Sequence, residues 1–224
     1  MSGDRTHVHA PIDAVVFDIG GVLLDWDPRH LYRSVFATEA EMERFLAEVC
    51  TLEWHAAHDR GVAYAENAAP LIARHPDDME AIRAWSERSE EMERGEIAES
   101  VAALRALIDA GVRTYALTNM ERDTYERRLE RYPFMSWFRG AIVSSHEGVV
   151  KPDPEIFRRL LARFTLDAPA TLLIDDAQRN LDAAAALGFQ TLHFTEPAAL
   201  AAALRARGLP PQDDAGHESQ PQQQ

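Results

Sequence analysis

Ile12-Asp13-Ala14-Val15-Val16-Phe17-Asp18-Ile19-Gly20-Gly21-Val22 is an apolar run that stops on a carboxylate and turns on two glycines. Residues 13–17 read as a strand buried on both faces, since strands of parallel sheets appear as short continuous apolar runs. Open α/β sheets bind their ligands beyond the carboxyl ends of the strands. Asp18 therefore stands where chemistry would be done. A lone aspartate at such a place serves equally well as a turn former or a helix cap, so the surrounding chain has to decide.

Outward from that stretch, two textures follow. Asp25-Trp26-Asp27-Pro28 reads as a turn, with Asp27 as a cap and Pro28 at the first helical position. From there to about Glu96 the text is helical, with no strand. Leu31, Val35 and Phe36 form one apolar face, and Met42, Phe45, Leu46 and Val49 another at helical spacing. Two further helices, over 63–73 and 77–92, are separated at His75-Pro76. After Gly95 the pattern alternates. Helices are expected over 97–110, 122–131, 155–164, 178–187 and 197–207, and strands over 113–117, 141–144, 171–174 and 191–194. Such alternation implies an α/β fold with a doubly wound parallel sheet. The expected organisation is a core domain of residues 12–25 and 96–208, with an α-helical cap domain, 26–95, inserted after the first strand. Residues 1–11 and 209–224, the latter rich in Pro and Gln, read as disordered termini.

Composition narrows the function. With 224 residues and a formal net charge of −14, the chain lacks the basic surface that nucleic acid or an anionic membrane demands. No apolar run approaches the roughly 20 residues of a membrane span, and the polar N-terminus lacks the pattern of a signal peptide. The single cysteine, Cys50, has no internal partner, and a cytoplasmic protein, monomer or homodimer, is expected. One detail is sharper. The chain carries 22 arginines and one lysine, Lys151. Where a surface cation suffices, Arg is used. The exception suggests a site that needs a compact ammonium on a flexible stem.

In a doubly wound sheet the strand ends share one rim. Asp18, Thr118-Asn119 and Asp175-Asp176 are the first polar residues at three strand ends, and Lys151 follows a fourth. Three carboxylates and a lysine suit a divalent cation and a phosphoryl group. Mg²⁺ takes oxygen ligands and few protein carboxylates, and phosphoryl transfer needs mainly positioning and charge neutralisation. An ionised Asp18 is a competent nucleophile.

These motifs together resemble the haloacid dehalogenase superfamily of hydrolases. Phe17-Asp18-Ile19-Gly20-Gly21-Val22 is similar to its first motif, Leu117-Thr118-Asn119 to its second, Lys151-Pro152 to its third, and Ile174-Asp175-Asp176 to its fourth. The helical block sits where the family carries a small α-helical cap, and the subgroup resembled includes bacterial sugar-phosphate phosphatases. The resemblance implies Asp18 as nucleophile, Thr118 and Asn119 as ligands of the phosphoryl oxygens, and Lys151 as the cation that neutralises charge and orients Asp18. It further implies Mg²⁺ held by Asp18, the Gly20 carbonyl and Asp176, with Asp175 direct or through water. The substrate would be a small phosphorylated metabolite such as a sugar phosphate.

The chain departs from that pattern at one position. Most phosphatases of the superfamily carry a second aspartate two residues after the nucleophile as general acid and base, and here that residue is Gly20. General acid–base help is worth about 10²–10⁴ in rate. Asp25, Asp27, His55 and His58 are candidate substitutes, against bland roles as cap and ordinary polar residues. The departure opens two rivals. One is a metal-independent 2-haloacid dehalogenase, against which Asp175-Asp176 counts, because unpaired like charges would repel an anionic substrate. The other is a non-catalytic module that binds a phosphate ligand. Substrate choice is expected from the cap, with Trp26, Arg29, Trp54 and Arg60 as candidates and Trp85 as core.

Overall fold

The structure, a computed structural model, describes residues 10–210. The elements run β1 (Ala14–Phe17), β2 (Leu24–Trp26), α1 (Pro28–Tyr32), α2 (Glu39–Glu48), α3 (Leu52–Asp59), α4 (Tyr64–Arg74), α5 (Met79–Glu87) and β3 (Glu93–Glu96). There follow α6 (Ala98–Asp109), β4 (Arg113–Thr118), α7 (Arg122–Arg131), β5 (Ala141–Val143), α8 (Ser144–Glu147), α9 (Pro154–Phe164), β6 (Thr171–Asp175), α10 (Gln178–Ala185), β7 (Gln190–His193) and α11 (Pro197–Arg205).

β1 lies at the centre of a five-stranded sheet of order β5-β4-β1-β6-β7. Every pairing in it is parallel, with Val16 in register with Tyr115 on one side and Leu173 on the other. Successive side chains of a strand point to opposite faces. Val15 and Phe17 accordingly pack with Leu104, Leu107, Leu200 and Leu204 of α6 and α11. Ala14 and Val16 pack with Ile156, Phe157, Leu160, Leu181 and Ala184 of α9 and α10. All four residues of β1 are buried, which is why they read as a continuous apolar run. The chain winds outward through β4 and β5, then returns past β1 to β6 and β7. The strand order therefore reverses beside β1, and the crevice at such a switch point is where ligands bind.

Helices α1 to α5 hold an apolar cluster of their own, built from Leu31, Tyr32, Met42, Phe45, Ile82, Trp85 and neighbours between residues 31 and 92. Their ends are set by local chemistry. Asp27 caps α1 ahead of Pro28, Thr38 and Glu41 form a reciprocal capping box on α2, and Thr51 caps α3. Two expectations fail here. Asp25 and Trp26 are strand rather than turn, and Glu93-Arg94-Gly95-Glu96 is a strand where only helix was expected. β2 and β3 pair antiparallel, Leu24 with Glu96 and Trp26 with Glu93. The outgoing and returning chains are thus zipped together, and Met92 O and Leu23 O accept from Asp27 N and Ile97 N at 2.9 and 2.8 Å. Glu-Arg-Gly-Glu has no strand signature of its own; the pairing is imposed from outside. Likewise Ser144 opens α8 instead of ending β5, and the helix expected to run to residue 92 stops at Glu87 and tightens into a 3₁₀ turn.

The termini were expected to be disordered. Most of those residues lie outside the described segment, but Leu209 is buried in the core, and the Ala10 carbonyl accepts from Gln190 Nε2 at 2.8 Å. No helix among the described residues is long and apolar enough to cross a membrane.

Glu93 fastens the returning strand to the sheet side of the molecule. Its carboxylate accepts from Arg128 Nε and from Tyr132 OH, both at 2.6 Å, and its side chain is 5% exposed against 12% for Arg128. Removing one member of a buried pair leaves the other charge without compensation. Glu93→Ala is therefore expected to lower the unfolding free energy by about 3–5 kcal/mol, read from urea denaturation of the variant beside the wild type.

Candidate active site

Asp18 extends the β1 ladder by one residue, its N–H donating to Ile174 O at 2.9 Å. Asp18 Oδ1 accepts from Ile19 N–H at 2.7 Å, while Oδ2 lies 2.7 Å from Lys151 Nζ. The same Nζ lies 2.7 Å from Asp175 Oδ2. One ammonium thus joins two carboxylates, and all three side chains are nearly sealed from water. Asp175 Oδ1 is held in turn by Ala177 N–H at 2.9 Å and Asn180 Nδ2 at 2.8 Å. Lys151 is placed by Asn119. The Asn119 Oδ1 accepts from Lys151 N at 2.8 Å, and its Nδ2 donates to Lys151 O at 3.0 Å, next to a cis Lys151–Pro152 peptide.

Asp176 is exposed, and its carboxylate leans over the first loop. Gly21 makes that possible: its φ is +77°, and a Cβ there would stand 2.5 Å from Asp176 Oδ2. Carboxylate oxygens of Asp18, Asp175 and Asp176 lie within 4.8 Å of one another. Against them the site sets one ammonium. Burial raises the Asp18 carboxyl well above the usual carboxylate range; Lys151 pulls it back, and Asp175 and Asp176 push it up. Burial also raises Asp176, with Asp175 adding to the effect. Burial disfavours the Lys151 ammonium, but Asp175 and Asp18 more than offset it and hold it firmly protonated. The surplus negative charge and the all-oxygen donor set are what a hard divalent cation such as Mg²⁺ neutralises.

The sequence-derived residues Asp18, Thr118, Asn119, Lys151, Asp175 and Asp176 meet at this rim. Thr118 ends β4 and is buried, and Gly20 sits in the turn where Ile19 O accepts from Leu23 N and Leu24 N. Asn119 has a role beyond the one expected of it. Its Oδ1 and one of its two Nδ2–H donors are engaged by the Lys151 backbone, so it positions the lysine, and as a lining residue of the cleft it keeps a second N–H.

A cleft of about 1800 Å³ separates this rim from the helices, lined by Asp18, Gly20 and Asp176 on one side and Trp26, His55 and Asp59 on the other. The four candidate proton donors are otherwise occupied. Asp27 caps α1, and Asp25 Oδ1 pairs with His30 Nε2 at 2.8 Å. His58 binds Val62 O and the Asn67 amide. His55 Nδ1 accepts from Trp85 Nε1 at 3.1 Å, and burial lowers its pKa to about 4. Of the expected substrate-selecting residues, Trp26, Arg29 and Arg60 line the cleft. Arg29 is already paired with Glu43, at 2.5 and 2.8 Å, and Trp54 Nε1 donates to Asn67 O.

Two residues of the site lay beyond sequence reasoning. Asn180 clamps Asp175 from five residues downstream. Asp59 closes α3 and is buried, although Asp-Arg-Gly at a helix end reads as a solvent turn. Its one sequence signal was the spacing of four from His55.

The chain matches the sequence model of the haloacid dehalogenase-like hydrolases over residues 12–188. It belongs to that family. A sesquiterpene phosphatase of Aspergillus oryzae is 27% identical over 193 residues, 86% of this chain and 94% of that protein. Among solved structures, a haloacid dehalogenase family enzyme of Bacteroides thetaiotaomicron in complex with magnesium and inorganic phosphate superposes with a TM-score of 0.63 at 19% identity, over 82% of this chain and 94% of that one. The L-2-haloacid dehalogenase of Xanthobacter autotrophicus with chloropropionic acid covalently bound gives 0.61 at 17% identity, over 89% and 85%. At these identities the structural likeness is one of fold.

In this hydrolase the Asp18–Lys151–Asp175 bridge should weigh on stability as well as on chemistry. Lys151→Met leaves two buried carboxylates facing each other and is expected to cost about 3–5 kcal/mol in chemical denaturation. Arg83→Met, which removes an exposed pair with Glu80, is expected to change stability by no more than about 1 kcal/mol.

Proposed function

We propose that this hydrolase is a Mg²⁺-dependent phosphatase that removes phosphate from a small phosphorylated metabolite through an aspartyl-phosphate on Asp18. The observation that carries the reading is the cluster of Asp18, Asp175 and Asp176 around a single ammonium. A metal-free displacement on a haloacid would set that surplus negative charge against an anionic substrate, whereas a cation and a phosphoryl group fit it. The phosphatase among the relatives and the magnesium–phosphate complex among the fold neighbours support the same direction.

In this reading residues 12–25 and 96–208 form the catalytic core and residues 26–95 the cap. Asp18 Oδ, the Gly20 carbonyl and Asp176 would hold Mg²⁺, with Asp175, which already serves Lys151, Ala177 and Asn180, direct or through water. The cation, when bound, offsets charge on the phosphoryl oxygens and on the paired acids. Lys151 orients Asp18 and has a third N–H for a phosphoryl oxygen. Thr118, buried at the end of β4, would supply its hydroxyl, and Asn119 keeps Lys151 in place. The cap side of the cleft offers Trp26, Leu46, Tyr64 and Trp85 to the alcohol portion, a wall suited to a sugar face or a hydrocarbon chain.

A panel of sugar phosphates, isoprenoid monophosphates and aryl phosphates, with Mg²⁺ or with EDTA, tests the reading. Phosphate release is expected only with Mg²⁺, and Asp18→Asn is expected to lower it by about 10³-fold or more. Halide release from 2-haloacids in EDTA would replace the reading with the dehalogenase, and phosphate binding without turnover would replace it with a binding module. Gly21→Ala strains a left-handed residue and displaces Asp176. It is expected to raise the Mg²⁺ concentration for half-maximal activity by about 10-fold or more, with no such change in affinity for the ester.

A further inference from the structure

Gly20 leaves the leaving-group oxygen without the neighbouring acid that cleavage of an alkyl ester requires. The opposite wall of the cleft carries a carboxyl, Asp59. A Cβ built on Gly20 has the Trp26 Cβ as its nearest neighbour, at 4.0 Å. The His55 ring stacks on Trp26, with centroids 5.8 Å apart and planes at 22°. Indole Nε1–H can only donate, so its bond to His55 Nδ1 fixes the tautomer and leaves the proton on Nε2. That Nε2–H faces Asp59 Oδ1 at 3.6 Å. Trp26 and His55 thus stand between the open position at Gly20 and Asp59, and the Asp59 carboxyl lines the same cleft as Asp18.

Asp59 is also anchored to the rim. Its carbonyl accepts from Ser144 Oγ at 2.6 Å, and that Oγ accepts from Met120 N–H at 2.9 Å, two residues after Thr118. The end of α3 is therefore fixed against the ends of β4 and β5. A cap residue that stays registered with the phosphoryl-binding loop is what proton transfer demands.

We infer that the Asp59 carboxyl is the general acid and base of the reaction, in place of a side chain at position 20. The inference rests on the phosphatase reading. In the first step an Asp18 carboxylate oxygen bonds to phosphorus, the ester P–O bond breaks, and the departing oxygen takes the Asp59 proton to leave as alcohol. In the second step water bonds to phosphorus and passes a proton to the Asp59 carboxylate. The bond from phosphorus to Asp18 breaks, and phosphate departs.

The surroundings suit both directions of transfer. Burial lifts the Asp59 carboxyl to about 6, against the pull of His58, Lys151, Arg128 and Arg60. His55 stays neutral beside it, held so by burial, with Glu121 favouring and Arg128 opposing its charged form. An acid poised near neutrality gives and regains a proton more readily than one at the ordinary carboxylate value.

The test compares two esters in the full-length protein with Mg²⁺. p-Nitrophenyl phosphate has a leaving group that needs no proton; a primary alkyl phosphate does need one. Asp59→Asn is expected to lower kcat/KM for the alkyl ester by about 10²-fold or more and for the aryl ester by less than about 10-fold. Gly20→Asp, added to that variant in a position open enough for a side chain, is expected to recover at least part of the alkyl activity. In the wild type, the alkyl-to-aryl ratio of kcat/KM is expected to fall as pH rises above about 6, whatever the variants' folding. Equal losses on the two esters, or a ratio flat with pH, would overturn the inference while leaving the phosphatase reading intact. Absence of phosphate release from either ester by the wild type would overturn the reading and the inference together.

Discussion

The ammonium of Lys151, 2.7 Å from both Asp18 and Asp175, is the constraint on which the rest of the structure depends. Ions so deeply buried cost several kcal/mol each unless geometry and further hydrogen bonds compensate. The compensation reaches well beyond the three side chains. Ile19 and Ala177 supply backbone N–H groups, Asn180 a side-chain amide, and Asn119 a two-point grip on the Lys151 backbone. Those groups come from the ends of β1, β4 and β6 and from the first turn of α10, and they hold a lysine in the loop after α8. The bridge can form only if those strands pair in the observed order, so the parallel sheet and the charge cluster require each other.

The helices carry a different constraint. Their apolar cluster is separate from the two that flank the sheet, so packing alone does not fix where they stand above the rim. Polar contacts do. The β2–β3 pair brings the chain back beside its point of departure, Glu93 locks that pair to α7, and the Asp59 carbonyl meets Ser144. A segment with its own core takes its position over the rim from such polar, directional attachments.

The sheet was legible because buried parallel strands announce themselves as apolar runs, and the helices because their faces repeat. The gathering of Asp18, Lys151 and Asp175 was legible from strand-end position together with the lone lysine in an arginine-rich chain. What was not legible depended on partners distant in sequence. Glu93-Arg94-Gly95-Glu96 has strand form only because β2 lies beside it. The grip of the Asn119 side chain on the Lys151 backbone, 32 residues away, could not be read from its type. Asp59 is buried because Ser144 and Met120 close over the end of α3, a contact that spans 85 residues. Charged residues at helix ends are by default solvated; only tertiary structure reveals the exception.

The choice of lysine at position 151 follows from the same geometry. Three N–H bonds diverge from one nitrogen, so a single atom can serve Asp18, Asp175 and a third oxygen. A guanidinium spreads its donors over a planar fork and matches a carboxylate edge to edge. Between two carboxylates that converge on one point it would have to push them apart, and with them the strand ends that carry them. In a chain that uses Arg for every other basic residue, selection of Lys here reflects the shape of the charge, not its sign. The constraint extends to the cation, because Lys151 leaves one of three clustered carboxylates uncompensated. The cluster is therefore poised to take up further positive charge.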